Sequence, residues 1–303
     1  MRVLITGGSG LIGGALTREL AAAGHEVVVL TRDPARVKDL PANVRAVRWD
    51  GVSADGWGEL AQGPDTAIVH LAGEGIADGR WTPERKRRIV DSRVQSSAAV
   101  AAAIRQAAVK PRVLLQGSAV GYYGPSGDSV VTEEHPPGDD FLARVCIDWE
   151  RSTAEVEGWG VRRALLRTGI VLARGGGALP KMALPFRLFA GGPLGDGRQW
   201  VPWIHLADEV GAIRFLLEAE GARGPFNLSA PEPVQNRDLA RALGEALHRP
   251  SLLPTPSFAL HLALGEMAGM VLEGQRAVPR ALEGLGYAFR FPALGPALHD
   301  LLD

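Results

Sequence analysis

Thr6-Gly7-Gly8-Ser9-Gly10-Leu11-Ile12-Gly13 spaces three glycines as G-x-x-G-x-x-G between an apolar run and a helical pattern. Gly7 permits a tight turn, Gly10 lets backbone approach a ligand, and Gly13 lets the next helix pack closely. The helix start then directs unpaired N–H groups and the positive end of its dipole at an anion. That chemistry suits the pyrophosphate of a dinucleotide. A P-loop is excluded, because none of the four lysines (Lys38, Lys86, Lys110, Lys181) follows a glycine.

About 20 residues on, the second apolar run ends Leu30-Thr31-Arg32-Asp33. A carboxylate at the strand end would accept from the adenosine 2′-hydroxyl. Thr31 and Arg32 instead suit a 2′-phosphate, through a hydroxyl bond and a charge-assisted guanidinium pair. The cofactor expected is NADP(H), the alternative for Arg32 being an exposed pair with Asp33.

Two further groups carry possible chemistry. Ser118 falls at a strand end with Tyr122 and Tyr123 close behind, so a hydroxyl and a phenol come from one loop. Packing under the loop is the alternative for the tyrosines. No G-x-S-x-G elbow surrounds Ser118, so it is not a hydrolase nucleophile. Farther on, Arg198, Trp200, Trp203 and His205 could grip an anionic group, stack on a ring and hydrogen-bond a small polar substrate, or simply pack a loop. Arg80, Arg85, Lys86, Arg87 and Arg88 read as a solvated helix face, and Arg93 either reaches the cleft or packs the helix.

The elements that must position these residues are legible as an alternation. Short apolar runs at Arg2–Thr6, Glu26–Leu30, Val44–Trp49, Thr66–Leu71, Val113–Gly117 and Arg163–Thr168 alternate with helical patterns. That predicts α/β architecture, a Rossmann-like doubly wound parallel sheet with strands buried on both faces. Thr82-Pro83 marks a helix start, and residues 206–220 and 226–229 suggest a returning helix and strand. The predicted organisation is a dinucleotide-binding domain over 1–172, to which 206–229 returns. A smaller, mostly helical substrate lobe comprises 173–205 and 230–303. Strand order is not readable.

The runs TGGSGLIG, HLAG (70–73), GSAVGYYG (117–124) and LLRTGIVL (165–172) resemble an extended short-chain dehydrogenase/reductase. RWTPERKRRIVDSR (80–93), FLARVCIDWE (141–150), GGPLGDGRQWVPWIH (191–205), APEPVQN (230–236) and GQRAVPRAL (274–282) resemble one atypical branch, the YfcH-like epimerase family. The likeness spans nearly the whole chain. It implies a Rossmann fold, bound NADP(H) and an unassigned substrate. Carried over by position, it implies Gly7, Gly10, Gly13, Arg32, Asp50, Leu71, Ala72 and Gly73 at the cofactor, with Ser118 as the catalytic serine. Thr6, Leu11, Ile12, Thr31, Arg167 and Thr168 complete the expected cofactor set.

One departure limits the implied chemistry. The superfamily's YxxxK pair, in which the lysine lowers the tyrosine pKa, is absent. Four residues after Tyr122, Tyr123 and Tyr287 stand Ser126, Gly127 and Phe291. Leu142 and Cys146 occupy the aligned positions. The expected function is therefore oxidoreductase or epimerase-like chemistry assisted by Ser118 and a neighbouring phenol. The alternative is a catalytically weak NADP(H)-binding redox sensor.

Composition narrows the classes further. The chain has 303 residues, a net charge of −1 and a single cysteine. Near-neutral charge argues against a nucleic-acid partner, and one cysteine against a disulfide framework or Cys-based zinc site. Its seven histidines form no H-x-H or H-x-x-x-H pair, so no metal is expected. The first residues run straight into strand and turn, and no apolar stretch is long enough to span a bilayer. A cytoplasmic location and no membrane partner are expected.

Overall fold

The structure, a computed structural model, describes residues 1–38 and 40–303. Seven strands form the central sheet: β1 (Arg2–Thr6), β2 (Glu26–Thr31), β3 (Val44–Arg48), β4 (Thr66–His70), β5 (Val113–Ala119), β6 (Arg162–Thr168) and β7 (Gly224–Leu228). Their order is β3-β2-β1-β4-β5-β6-β7, and every neighbouring pair is parallel. The order reverses between β1 and β4. That switch point opens a crevice at the strands' carboxyl ends, where ligands bind in such sheets.

Alternation within each strand sends residues to two helical layers. Val3, Ile5, Val27, Val29 and Leu115 meet Leu16 and Leu20 of α1 (Leu11–Ala22), with Ile213 of the returning helix α5 (Leu206–Glu218). Leu4, Val28, Ile68 and Leu114 pack instead on Val100 and Ile104 of α2 (Pro83–Gln106), beside Trp49 and Trp57. Thr82 caps α2, its hydroxyl accepting from Arg85 N–H, and Pro83 stands at the first helical position. Between β5 and β6, α3 (Phe141–Arg151) packs beside α2.

Leu206–Glu218 covers the sheet, and β7 extends its edge beyond β6. A separate core unites α4 (Leu179–Arg187), α6 (Asn236–Leu247) and the last helix, Leu294–Leu302, around Trp203, Leu243 and Leu298. Asp208, almost wholly buried, ties this C-terminal part to the sheet by accepting from Arg290 N–H and Phe291 N–H at 2.7 and 2.8 Å. Lys86 pairs with Glu266, and Arg80 donates to the carbonyls of Leu262 and Ala263. No helix among the described residues is long and apolar enough to cross a membrane.

The glycine turn divides its labour unequally. Gly7 lies at φ +70°, and a Cβ there would sit 2.9 Å from Leu71 O. Gly10 adopts an ordinary φ of −81° and could take a methyl group with a 3.2 Å contact to Gly7 O. At Gly13 a Cβ would fall 2.3 Å from Gly7 O and 2.7 Å from Gly8 Cα, so the helix packs against the turn itself. Gly13→Ala should therefore destabilise the fold by about 1–3 kcal/mol despite alanine's better helix propensity. Gly10→Ala should cost less. Urea unfolding of both variants checks this, and an equal or reversed ranking would refute the packing argument.

Candidate functional site

A cavity of about 690 Å³ opens at the switch point, bordered by Gly7, Gly10, Thr31, Arg32, Leu71 and Gly73 among others. Its floor is a clamp between β1 and β4. Thr6 Oγ1 accepts from Leu71 N–H and Ala72 N–H, each at 3.1 Å, so its own hydrogen goes to His70 Nδ1 at 2.7 Å. Nε2–H of His70 then donates to Ser97 Oγ at 3.0 Å. Burial pushes the His70 pKa down to about 3, and the ring is neutral.

At the β2 end, Thr31 and Arg32 line the cavity with Asp50 across from them. Thr31 Oγ1 accepts from Asp33 N–H at 3.3 Å, and Asp33 in turn caps Ala35 N–H. The Asp50 carboxylate accepts from Val52 N–H, Ser53 N–H and Ser53 Oγ–H, each at 2.8 Å. These bonds, Val52 N–H foremost, hold its pKa below the usual carboxylate range. Trp49 and Trp57 both donate their indole N–H to Ser53 O and fix this loop. Ile12 packs into the core, while Leu11 supports the Gly176–Gly177 segment of the lobe.

The residues expected to do chemistry form a buried chain. Ser118 Oγ donates to Glu150 Oε1 at 2.7 Å. Glu150 meets Arg167 in a two-point pair, Nε–Oε1 2.8 Å and Nη2–Oε2 2.9 Å. Arg167 Nη1 donates to Tyr123 OH and to Glu133 O, and Tyr123 OH donates to Asn227 Oδ1 at 2.7 Å. Burial works to lower the Arg167 pKa, yet its bonds to Glu150 outweigh it and leave the guanidinium more basic than usual. Burial pushes the Tyr123 phenol up to about 12. Tyr122 is only half-buried, with the Arg167 guanidinium 3.5 Å above its ring centre. Arg167 thus sits within this network rather than along the cavity.

On α3, Cys146 lies beside Ser118, its thiol pushed up to about 12 by burial. Leu142 packs near Gly121 instead. Neither supplies a cation. Arg93, on α2, does reach this region. Its guanidinium lies 4.9 Å from the Trp149 ring centre, and Nη1 donates to Glu74 O and Ile89 O at 3.0 Å.

The four substrate candidates are dispersed. Arg198 is exposed, and Trp200 is half-buried, donating Nε1–H to Asp128 with Arg276 above its ring. Trp203 is wholly buried in the lobe core and donates to Glu232 O, so its ring is not free to stack on a ligand. His205 caps Leu206–Glu218 by accepting from Ala207 N–H at Nδ1, stacks on Phe291, and places Nε2 3.3 Å from Asp300.

The sequence profile of the NAD dependent epimerase/dehydratase family matches residues 3–229, and a domain of unknown function (DUF1731) matches 255–301. The chain belongs to the NAD dependent epimerase/dehydratase family. Epimerase family protein YfhF of Bacillus subtilis is 38% identical over 100% of this chain and 98% of its own. The chloroplastic SDR39U1 homolog of Arabidopsis thaliana is 41% identical over 100% of this chain and 87% of its own. Among solved structures, human epimerase family protein SDR39U1, crystallised with NADPH, superposes with a TM-score of 0.90 at 38% identity, covering 100% of this chain and 99% of that one.

Thr168 points away from expectation. Its hydroxyl donates to Glu209 Oε1 at 2.9 Å, while Glu209 Oε2 is buried with no partner among the described residues. Burial pushes the Glu209 pKa up from 4.5 to about 8, against the smaller opposing effect of Thr168. A folded pKa above the unfolded one means that Glu209 destabilises the fold increasingly as pH rises from about 4.5 to about 8. Glu209→Gln removes that titration. The variant's stability relative to wild type should rise between pH 5 and pH 8, by up to about 4 kcal/mol. Urea unfolding at both pH values checks this, and a pH-independent difference would contradict it.

Proposed function

We propose that this protein binds NADP(H) at the switch point and uses it for oxidoreductase or epimerase-like chemistry on a small polar substrate. The observation that carries the reading is the union of two features in one cavity. The close-packed Gly7–Gly13 turn aims a helix N-terminus at it, and Thr31-Arg32 closes it where an NAD site would place a carboxylate. The cradle fits a dinucleotide: Gly10 accepts close approach to the pyrophosphate, Arg32 pairs with a 2′-phosphate, and Asp50 lies at the adenine end. The NADPH in the related human structure supports the same assignment.

When bound, the nicotinamide supplies a hydride donor or acceptor. The chain's own groups then set the proton chemistry. Ser118 already gives its hydrogen to Glu150, so a substrate carbonyl competes for that hydrogen while a substrate hydroxyl finds an acceptor. Tyr123 is bonded to Asn227 and Arg167, which leaves the half-buried Tyr122 as the phenol outside those bonds. No lysine acts on the Tyr123 phenol. General acid–base assistance, worth about 10²–10⁴ in rate, is correspondingly reduced.

The same commitment of Ser118 and Tyr123 favours a second reading: an NADP(H)-binding redox sensor with little turnover. Calorimetry should show NADPH bound more tightly than NADH, with Arg32→Ala removing about 1.5–3 kcal/mol of that preference. Equal affinities would refute the 2′-phosphate assignment. NADPH oxidation against quinones, aldehydes and sugar-nucleotide ketones should be slow and should fall further in Ser118→Ala than in Tyr122→Phe or Tyr123→Phe. Tight NADPH binding with no oxidation above the Ser118→Ala background would replace the enzyme with the sensor.

A further inference from the structure

Cys146 stands one helical turn beyond Leu142 on α3, and its buried thiol leaves that helix without a cation beside Ser118. Two guanidinium groups border the gap. Arg167 has used Nε, Nη1 and Nη2 on Glu150, Tyr123 and Glu133 O. Arg93 has not. Its Nη1 serves Glu74 O and Ile89 O, whereas Nε and Nη2 have no protein partner among the described residues. Neither atom is sealed among the buried unpartnered groups, so three of its five N–H donors stay open.

The placement of that open head is specific. A Cβ on Gly73 would touch the Arg93 guanidinium carbon at 3.2 Å, and Gly73, Glu74 and Ser92 all border the cavity. The Trp149 ring backs the guanidinium, and its indole N–H is buried without a partner among the described residues. Arg93 therefore stands at the β4 side of the cavity, opposite Thr31 and Arg32 on the β2 side. A dinucleotide with its pyrophosphate at Gly10 and its adenosine at Thr31-Arg32 carries its second ribose to the β4 side, because the two halves straddle the switch point. A planar fork with open donors matches a vicinal diol there.

We propose that Arg93 holds the nicotinamide-side ribose of the bound dinucleotide. The proposal rests on the NADP(H) reading. The simpler role, anchoring Glu74 to α2, uses only Nη1.

Adenosine 2′,5′-bisphosphate separates the two roles, since it carries the adenosine end of NADPH and lacks the second ribose. By calorimetry, Arg93→Met should weaken NADPH about tenfold or more while leaving adenosine 2′,5′-bisphosphate within about twofold. Arg93→Lys, which keeps a cation, should lose less NADPH affinity than Arg93→Met with the same unchanged bisphosphate binding. Equal losses for both ligands in either variant would overturn the proposal and leave a structural anchor. Unchanged NADPH affinity in Arg93→Met would overturn it as well. Wild-type protein that bound neither ligand would instead remove the NADP(H) reading itself, and this proposal with it.

Discussion

Everything at the candidate site depends on how closely β1 and β4 are drawn together beyond their last paired residues. Gly7 turns at positive φ within 3 Å of where a Cβ would strike Leu71 O, and the Thr6 hydroxyl gathers Leu71 N–H and Ala72 N–H. His70 accepts the Thr6 hydrogen and passes its own to Ser97 on α2, so a sheet edge and a helix share one buried polar chain. Because His70 stays neutral, the chain carries no buried charge, and each member has its partner. The turn and the Leu71–Gly73 segment are thereby held as two fixed walls, with the first turn of α1 between them. Preorganised donors of that kind bind an anion without an ordering cost.

A second buried network governs the other half of the crevice, and its polarity is different. Glu150 and Arg167 bring opposite charges into the interior with two-point geometry; Ser118 donates to Glu150, while Tyr123 OH and Glu133 O accept from Arg167. Breaking such a pair typically costs about 3–5 kcal/mol, since one charge is left uncompensated. The network therefore stabilises the β5–β6–β7 end of the sheet. It also restrains Ser118 and Tyr123, the groups that would otherwise exchange protons freely with a substrate. Stability and weak acid–base power share one physical cause here.

Much of the architecture was legible because buried parallel strands are nearly continuous apolar runs, and the six proposed runs all became sheet strands. Thr82-Pro83 announced α2 by capping chemistry alone. Strand order was not legible, since pairing such as Thr6 with His70 joins residues far apart in the chain. The glycine turn was readable, but the division of labour was not: Gly10 needs no unusual backbone, and Gly13 packs on the turn. Arg167 and Thr168 looked like strand-end contacts to a cofactor, yet Glu150 and Glu209 claim them from helices 17 and 41 residues away in sequence. Trp203 and His205 carried types suited to ligand binding and fill a core and a helix cap instead. Arg93 was one arginine in a basic run, and only packing distinguishes it from the exposed Arg87 and Arg88.

Amide hydrogen exchange with and without NADPH bears most directly on the claim that the two walls of the β1–β4 crevice grip a dinucleotide. The account predicts slowed exchange confined to residues 7–13, 31–33 and 71–74, with α6 and the last helix unchanged. Protection centred on the C-terminal lobe, or none at the glycine turn despite saturating NADPH, would contradict it.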